Sequence, residues 1–142
     1  MRQKLLFTFL AIATGIILAF FTLFYLKKEE APPTEITVQV LQIGVYESLE
    51  NALKAKEQVK DAIVYEDENV YRVLVGAATT SEALTKIETA LQEENIAYYK
   101  KELQVKENEE LFTKYNELLE ATSEQETVLF LNHRILERME QV

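Results

Sequence analysis

An uncharged stretch of 22 residues near the N-terminus constrains this chain more than any other feature. Residues 5–26 contain 14 Leu, Ile or Phe residues and no charged residue. As a helix the stretch is about 33 Å long, which matches a hydrocarbon core of roughly 30 Å. Its large apolar side chains together contribute roughly −4 to −8 kcal/mol to insertion. The stretch therefore predicts one transmembrane helix that contacts membrane lipid, preceded by a cytoplasmic N-terminus of residues 1–4.

A cleaved signal peptide is the alternative interpretation of this stretch. It requires an apolar region of about 7–15 residues that ends in a small-x-small site. Ala11-Ile12-Ala13 comes too early for such a site, and no small pair follows Ala19. The flanking basic residues give a slight preference for an internal N-terminus. We expect an uncleaved, single-pass cell-membrane anchor and an extracytoplasmic C-terminal domain.

Three small residues lie on one side of the predicted membrane helix. Ala11, Gly15 and Ala19 are spaced four apart. Such a small-xxx-small ridge permits close approach of two helices, although the spacing is also frequent by chance. It marks a candidate homodimer contact.

The part of the chain after the apolar stretch is acidic. All 24 Asp and Glu residues lie at or after Glu29, and 15 − 4 = 11 of the Lys and Arg residues do, so this part carries 11 − 24 = −13. Such a surface repels phosphates, which argues against a nucleic-acid partner. Residues 27–36 form the predicted linker, and Pro32-Pro33 favours an extended chain that reaches only about 25–30 Å. The domain is therefore expected to work close to the membrane.

A duplicated motif follows the linker. Residues 38–44 (VQVLQIG) resemble residues 70–76 (VYRVLVG). Each copy precedes an amphipathic helical pattern and then a second strand-like run, which gives the order β-α-β-β-α-β. Thr79-x-x-Glu82 reads as a capping box that starts the second helix. Two right-handed βαβ units predict an α+β, ferredoxin-like domain over residues 37–105, with a four-stranded antiparallel sheet and both helices on one face.

The remaining residues, 106–142, predict two short amphipathic helices that separate near Ala121-Thr122-Ser123. Two such helices are not stable alone in water, so they must pack against the sheet, each other or a partner. Strand alternation also places five residues on the sheet face that the first two helices leave open: Val38, Val40, Gln42, Arg72 and Leu74. A row of exposed aliphatic residues is usually covered by other parts of a protein. We therefore expect residues 106–142, the C-terminal extension, to fold over part of that face and to narrow or close the groove on it.

The two motifs resemble the SPOR (sporulation-related repeat) family. Residues 41–46 (LQIGVY) are similar to its V-Q-V-G-[AS]-[FY] opening, and residues 71–76 (YRVLVG) to its Y-R-V-x-V-G second half. The resemblance covers about half of the chain. It implies a bacterial cell-envelope protein whose open sheet face binds peptidoglycan glycan strands that lack stem peptides, often at cell-division or sporulation septa. The sequence departs from the family at Val45 and at Gly76-Ala77-Ala78, where a small polar residue and an aromatic residue are usual.

Amide and aromatic side chains are suited to a glycan, because they hydrogen-bond its polar groups and stack on its ring faces. By resemblance, Gln42 is the amide of the first strand. The other positions that the resemblance assigns to glycan binding are Tyr46, Tyr71, Arg72, Tyr98 and Tyr99.

No residue pattern indicates an enzyme, a cofactor or a metal site. His133, the single histidine, has no Cys, Ser or Asp at a useful spacing, and reads as a solvated or interfacial helix residue. Glu107, Glu109 and Glu110 suit a helix N-terminus, where acidic side chains are favoured. The alternative function is an interaction protein that keeps the fold without glycan recognition and uses the sheet or the C-terminal extension to hold another envelope or division protein.

Overall fold

A computed structural model describes residues 32–140 of the chain. The predicted membrane helix, its small-residue ridge and the first half of the linker lie outside these residues. Within the described part, no helix combines the length and the hydropathy that crossing a bilayer requires. The elements are β1 (Thr34–Tyr46), α1 (Leu49–Lys56), β2 (Ile63–Asp67), β3 (Val70–Ala78), α2 (Ser81–Glu93), β4 (Tyr99–Glu107), α3 (Glu109–Ala121) and α4 (Gln125–Met139).

Side-chain caps explain where three of the helices begin. The hydroxyl of Ser48 accepts a hydrogen bond from the backbone N–H of Asn51, and the side chain of Asn108 accepts one from Leu111. At α2 the cap is Thr80, not Thr79 as the capping box predicted. The N–H of Thr79, which the capping box assigned to Glu82, donates to Asn116 of α3.

The four strands form one antiparallel sheet in the order β2-β3-β1-β4. The two copies of the duplicated motif are therefore neighbours, with Leu41 opposite Gly76 and Gly44 opposite Val73. This confirms the α+β class and the four-stranded antiparallel sheet. The sheet extends slightly beyond the predicted boundaries of residues 37–105, since β1 begins at Thr34 and β4 ends at Glu107.

At the glycine of each motif, close packing leaves no room for a Cβ atom. A Cβ atom on Gly76 would come within 2.9 Å of side-chain atoms of Ile87 and of Leu41. A Cβ atom on Gly44 would come within 2.6 Å of the Tyr46 hydroxyl. Both glycines therefore allow neighbouring side chains to lie directly on the sheet.

The C-terminal extension belongs to the same hydrophobic core as the sheet. Val38, Val40 and Leu74 are fully buried, as the covered-face prediction required. The core also includes large side chains of α3 and α4, all at most 1% exposed: Phe112, Leu119, Ile135, Leu136 and Met139. The two last helices are thus part of the domain.

A buried asparagine of each of these helices bonds backbone at or just after β3: Asn132 of α4 at the free edge of β3, and Asn116 of α3 at the N–H of Thr79. The strand β2 pairs with β3 only as far as Leu74. Beyond that point, the Asn132 side chain accepts from the N–H of Ala77 (3.3 Å) and donates to the carbonyl of Val75 (2.8 Å). Asn132 thus replaces the missing strand at two backbone groups.

Candidate functional site

The structure brings two of the predicted site residues into direct contact. Nη1 of Arg72 on β3 donates to Oε1 of Gln42 on β1, at 3.0 Å. The β1–β3 pairing is irregular between Leu41 and Gly44, which shifts the register next to Gln42. Both side chains are only partly exposed.

A third residue, Asp67, was not predicted. Its Oδ2 accepts a hydrogen bond from Nε of Arg72 at 2.7 Å. Asp67 ends β2 directly before the tight turn in which Glu68 has a positive φ of 56°. That turn and the pairing of Tyr65 with Arg72 place the carboxylate beside the guanidinium. In the sequence, Asp67-Glu68-Asn69 is a turn signal, but it does not show which β3 side chain the aspartate reaches.

Tyr99 on β4 lies next to Gln42 and extends the group of Asp67, Arg72 and Gln42 to the fourth strand. It lies directly opposite Gln42 in the β1–β4 pairing, so the two side chains are on the same face about 5 Å apart at Cβ. Its side chain is 73% exposed. We call Asp67, Arg72, Gln42 and Tyr99 the four-strand patch, since each of the four strands contributes one residue. Val45, opposite Arg72, adds an exposed aliphatic side chain at its margin.

Tyr98 lies apart from the patch. Its hydroxyl donates to Glu88 of α2 and accepts from Gln92 (3.1 and 3.2 Å). Lys100 forms an ion pair with the same Glu88 at 2.8 Å, and this hydrogen bond raises the pKa of Lys100. Tyr98 therefore contacts the helix layer.

Tyr46 and Tyr71 also lie apart from the patch. They are opposite each other in the β1–β3 pairing, and both pack partly buried against the core. The Tyr46 ring covers Gly44. Both rings therefore contribute to packing at this end of β1 and β3, and their glycan role stays a prediction.

His133 lies on α4, outside the patch. Its Nδ1 is 3.7 Å from Asp61 and its Nε2 is 3.3 Å from Glu137. Within residues 32–140 no cluster of three potential metal ligands occurs. A cavity of about 220 Å³, lined by Tyr65, Met139 and the end of β4, and a groove of about 460 Å³ beside α1 contain no patch residue.

In comparisons with known proteins, no family model matches the chain, and no significant match is found among curated proteins or solved structures.

Proposed function

We propose that this chain is a membrane-anchored, SPOR-like module that binds peptidoglycan glycan strands lacking stem peptides. The observation that carries the proposal is the contact of Gln42 with Arg72 beside the exposed Tyr99. These residues come from the two motifs and from the last strand, where the family resemblance assigns its contacts. The strand order β2-β3-β1-β4 is consistent with the ferredoxin-like arrangement that the resemblance implies.

The patch has the chemistry that the sugar rings of a polysaccharide need. An exposed tyrosine ring offers a surface for the apolar face of a sugar ring, and Val45 extends it. The Gln42 amide offers hydrogen bonds to sugar oxygens. Because the patch lies on the surface of a sheet, it suits a long strand better than a small molecule.

The remaining sequence features support a structural role at the envelope. Residues 5–26 would anchor the module as a single-pass protein, and residues 27–36 would keep it close to the membrane. The described residues carry 11 − 22 = −11, which disfavours nucleic acid, whose duplex has one negative charge per about 1.7 Å. The proposed mechanism is retention at division or sporulation sites that are rich in denuded glycan, and it requires no catalytic step or cofactor.

The test is a pull-down of the full-length chain with peptidoglycan treated with an amidase. We expect Gln42→Ala and Tyr99→Ala each to weaken binding about tenfold, since each removes one contact. Gln39→Ala is the matched control, because Gln39 lies on the same strand but on the opposite face. Binding that is equal in all four proteins would contradict the proposal.

The second candidate is an interaction protein that holds another envelope protein. Two observations favour it: three of the predicted aromatic contacts pack against the core or α2, and the C-terminal helices expose Leu118 (45%) and Phe130 (61%). This candidate predicts no glycan retention by the wild-type chain.

A further inference from the structure

The hydrogen bonds of the four-strand patch determine which way the Gln42 amide points. A guanidinium group has only donors, so Gln42 must turn its oxygen toward Arg72. Arg72 in turn is fixed by Asp67, and the two charged side chains are only 13% and 29% exposed. The chain of contacts from Asp67 through Arg72 therefore holds the amide in one orientation.

The nitrogen of this amide makes no hydrogen bond to any residue of the described part. Its two N–H donors are left for a ligand, on the sheet face that also carries Tyr99. The amide oxygen is already occupied by Arg72. Gln42 thus offers donors and has a diminished capacity to accept.

We propose that Asp67 and Arg72 are positioning residues that make Gln42 a hydrogen-bond donor, and that the patch selects N-acetylated sugars over de-N-acetylated ones. This inference rests on the proposed function. An acetamide group presents a carbonyl acceptor to the Gln42 nitrogen and a methyl group to the Tyr99 ring. A protonated amine at the same position has donors only. The N–H groups of the amine and of Gln42 therefore cannot hydrogen-bond each other.

The net charge of the domain acts against this preference for acetylated sugars. The described residues carry 11 − 22 = −11, which attracts the cationic, deacetylated glycan. Arg72 is paired with Asp67, and a second nearby cation, Lys101, lies on the same face as Tyr99 and repels the deacetylated glycan. Measurements at about 150 mM salt, where the Debye length is about 8 Å, reduce both long-range effects.

The experiment measures binding of the full-length chain in detergent to two hexasaccharides, one of N-acetylglucosamine and one of glucosamine with protonated amines. We expect about tenfold tighter binding of the acetylated hexamer, the effect of one satisfied hydrogen bond. Gln42→Glu keeps an acceptor for Arg72 but has no donor, so the preference should fall to about twofold or less. Gln39→Glu adds the same charge on the opposite face and Lys101→Met removes the nearby cation, and both should retain the preference.

The positioning role is tested by the double variant Asp67→Asn/Arg72→Met, which removes both charges and frees the amide to rotate. The preference should fall to about threefold or less while the chain keeps a cooperative unfolding transition. If the double variant keeps the tenfold preference, the positioning role is overturned. It is also overturned if the double variant unfolds and the Gln42→Glu variant keeps the tenfold preference. Equal or reversed binding of the hexamers by the wild type overturns the selectivity and leaves the proposed function intact. If the wild type binds neither hexamer nor denuded peptidoglycan, the proposed function itself fails.

Discussion

Replacing Asn132 with alanine tests whether the C-terminal extension is part of the fold. Asn132 is 3% exposed and bonds two backbone groups of β3 at 3.3 and 2.8 Å. Its truncation leaves both groups buried and unpaired, at about 1–3 kcal/mol each; because the 3.3 Å bond is long, we expect a total of about 2–4 kcal/mol. The higher helix propensity of alanine offsets about 0.5 kcal/mol of this.

Urea denaturation of the full-length chain, followed by circular dichroism, measures the loss. With a slope of about 1–3 kcal/mol per M, the midpoint should fall by about 1–2 M. Asn51→Ala in α1 is the matched control, since Asn51 is exposed and only its backbone forms a capping bond. It should change stability by less than about 0.5 kcal/mol. A loss for Asn132→Ala no larger than that of the control would refute the argument that this amide replaces a strand.

Three further perturbations test other parts of the account. Deletion of residues 107–142 should abolish cooperative unfolding, since it removes core side chains of α3 and α4; a folded product with unchanged glycan binding would contradict this. Gly76→Ala should cost about 1–3 kcal/mol in denaturant titration, because its Cβ would come within 2.9 Å of Cγ2 of Ile87 and Cδ1 of Leu41, and a stability equal to that of the wild type would contradict this. Gly15→Ile should weaken self-association in a membrane assay if the small-residue ridge is a helix contact, and unchanged association would dispose of that contact.

The duplicated motif was sufficient to predict the sheet. Because side chains alternate along a strand, the sequence also placed Gln42 and Arg72 on one face, where they are hydrogen-bonded. The contribution of Asp67 was not predictable, since it depends on a register that the β2–β3 turn and the irregular β1–β3 pairing establish together. Long-range register is not encoded in local periodicity.

The asparagines of the C-terminal helices were missed for a related reason. In a helical apolar stripe, Asn116 and Asn132 resemble ordinary polar interruptions. Their role appears only when β2 is seen to begin at Ile63, opposite Leu74, which leaves backbone groups of β3 and of Thr79 to be satisfied by side chains. The same applies to the aromatic candidates: sequence pattern does not distinguish the exposed Tyr99 from Tyr98, which is bonded to α2.

The most direct measurement of the central claim follows the side-chain amides of Gln42 and Gln39 by nuclear magnetic resonance while denuded glycan strands are added. If the patch is where the glycan lies, the Gln42 amide signals shift in a saturable manner and those of Gln39 remain in place. Saturable binding that leaves the Gln42 signals unmoved, with shifts confined to α3 and α4, would show that the sheet face is not the contact surface.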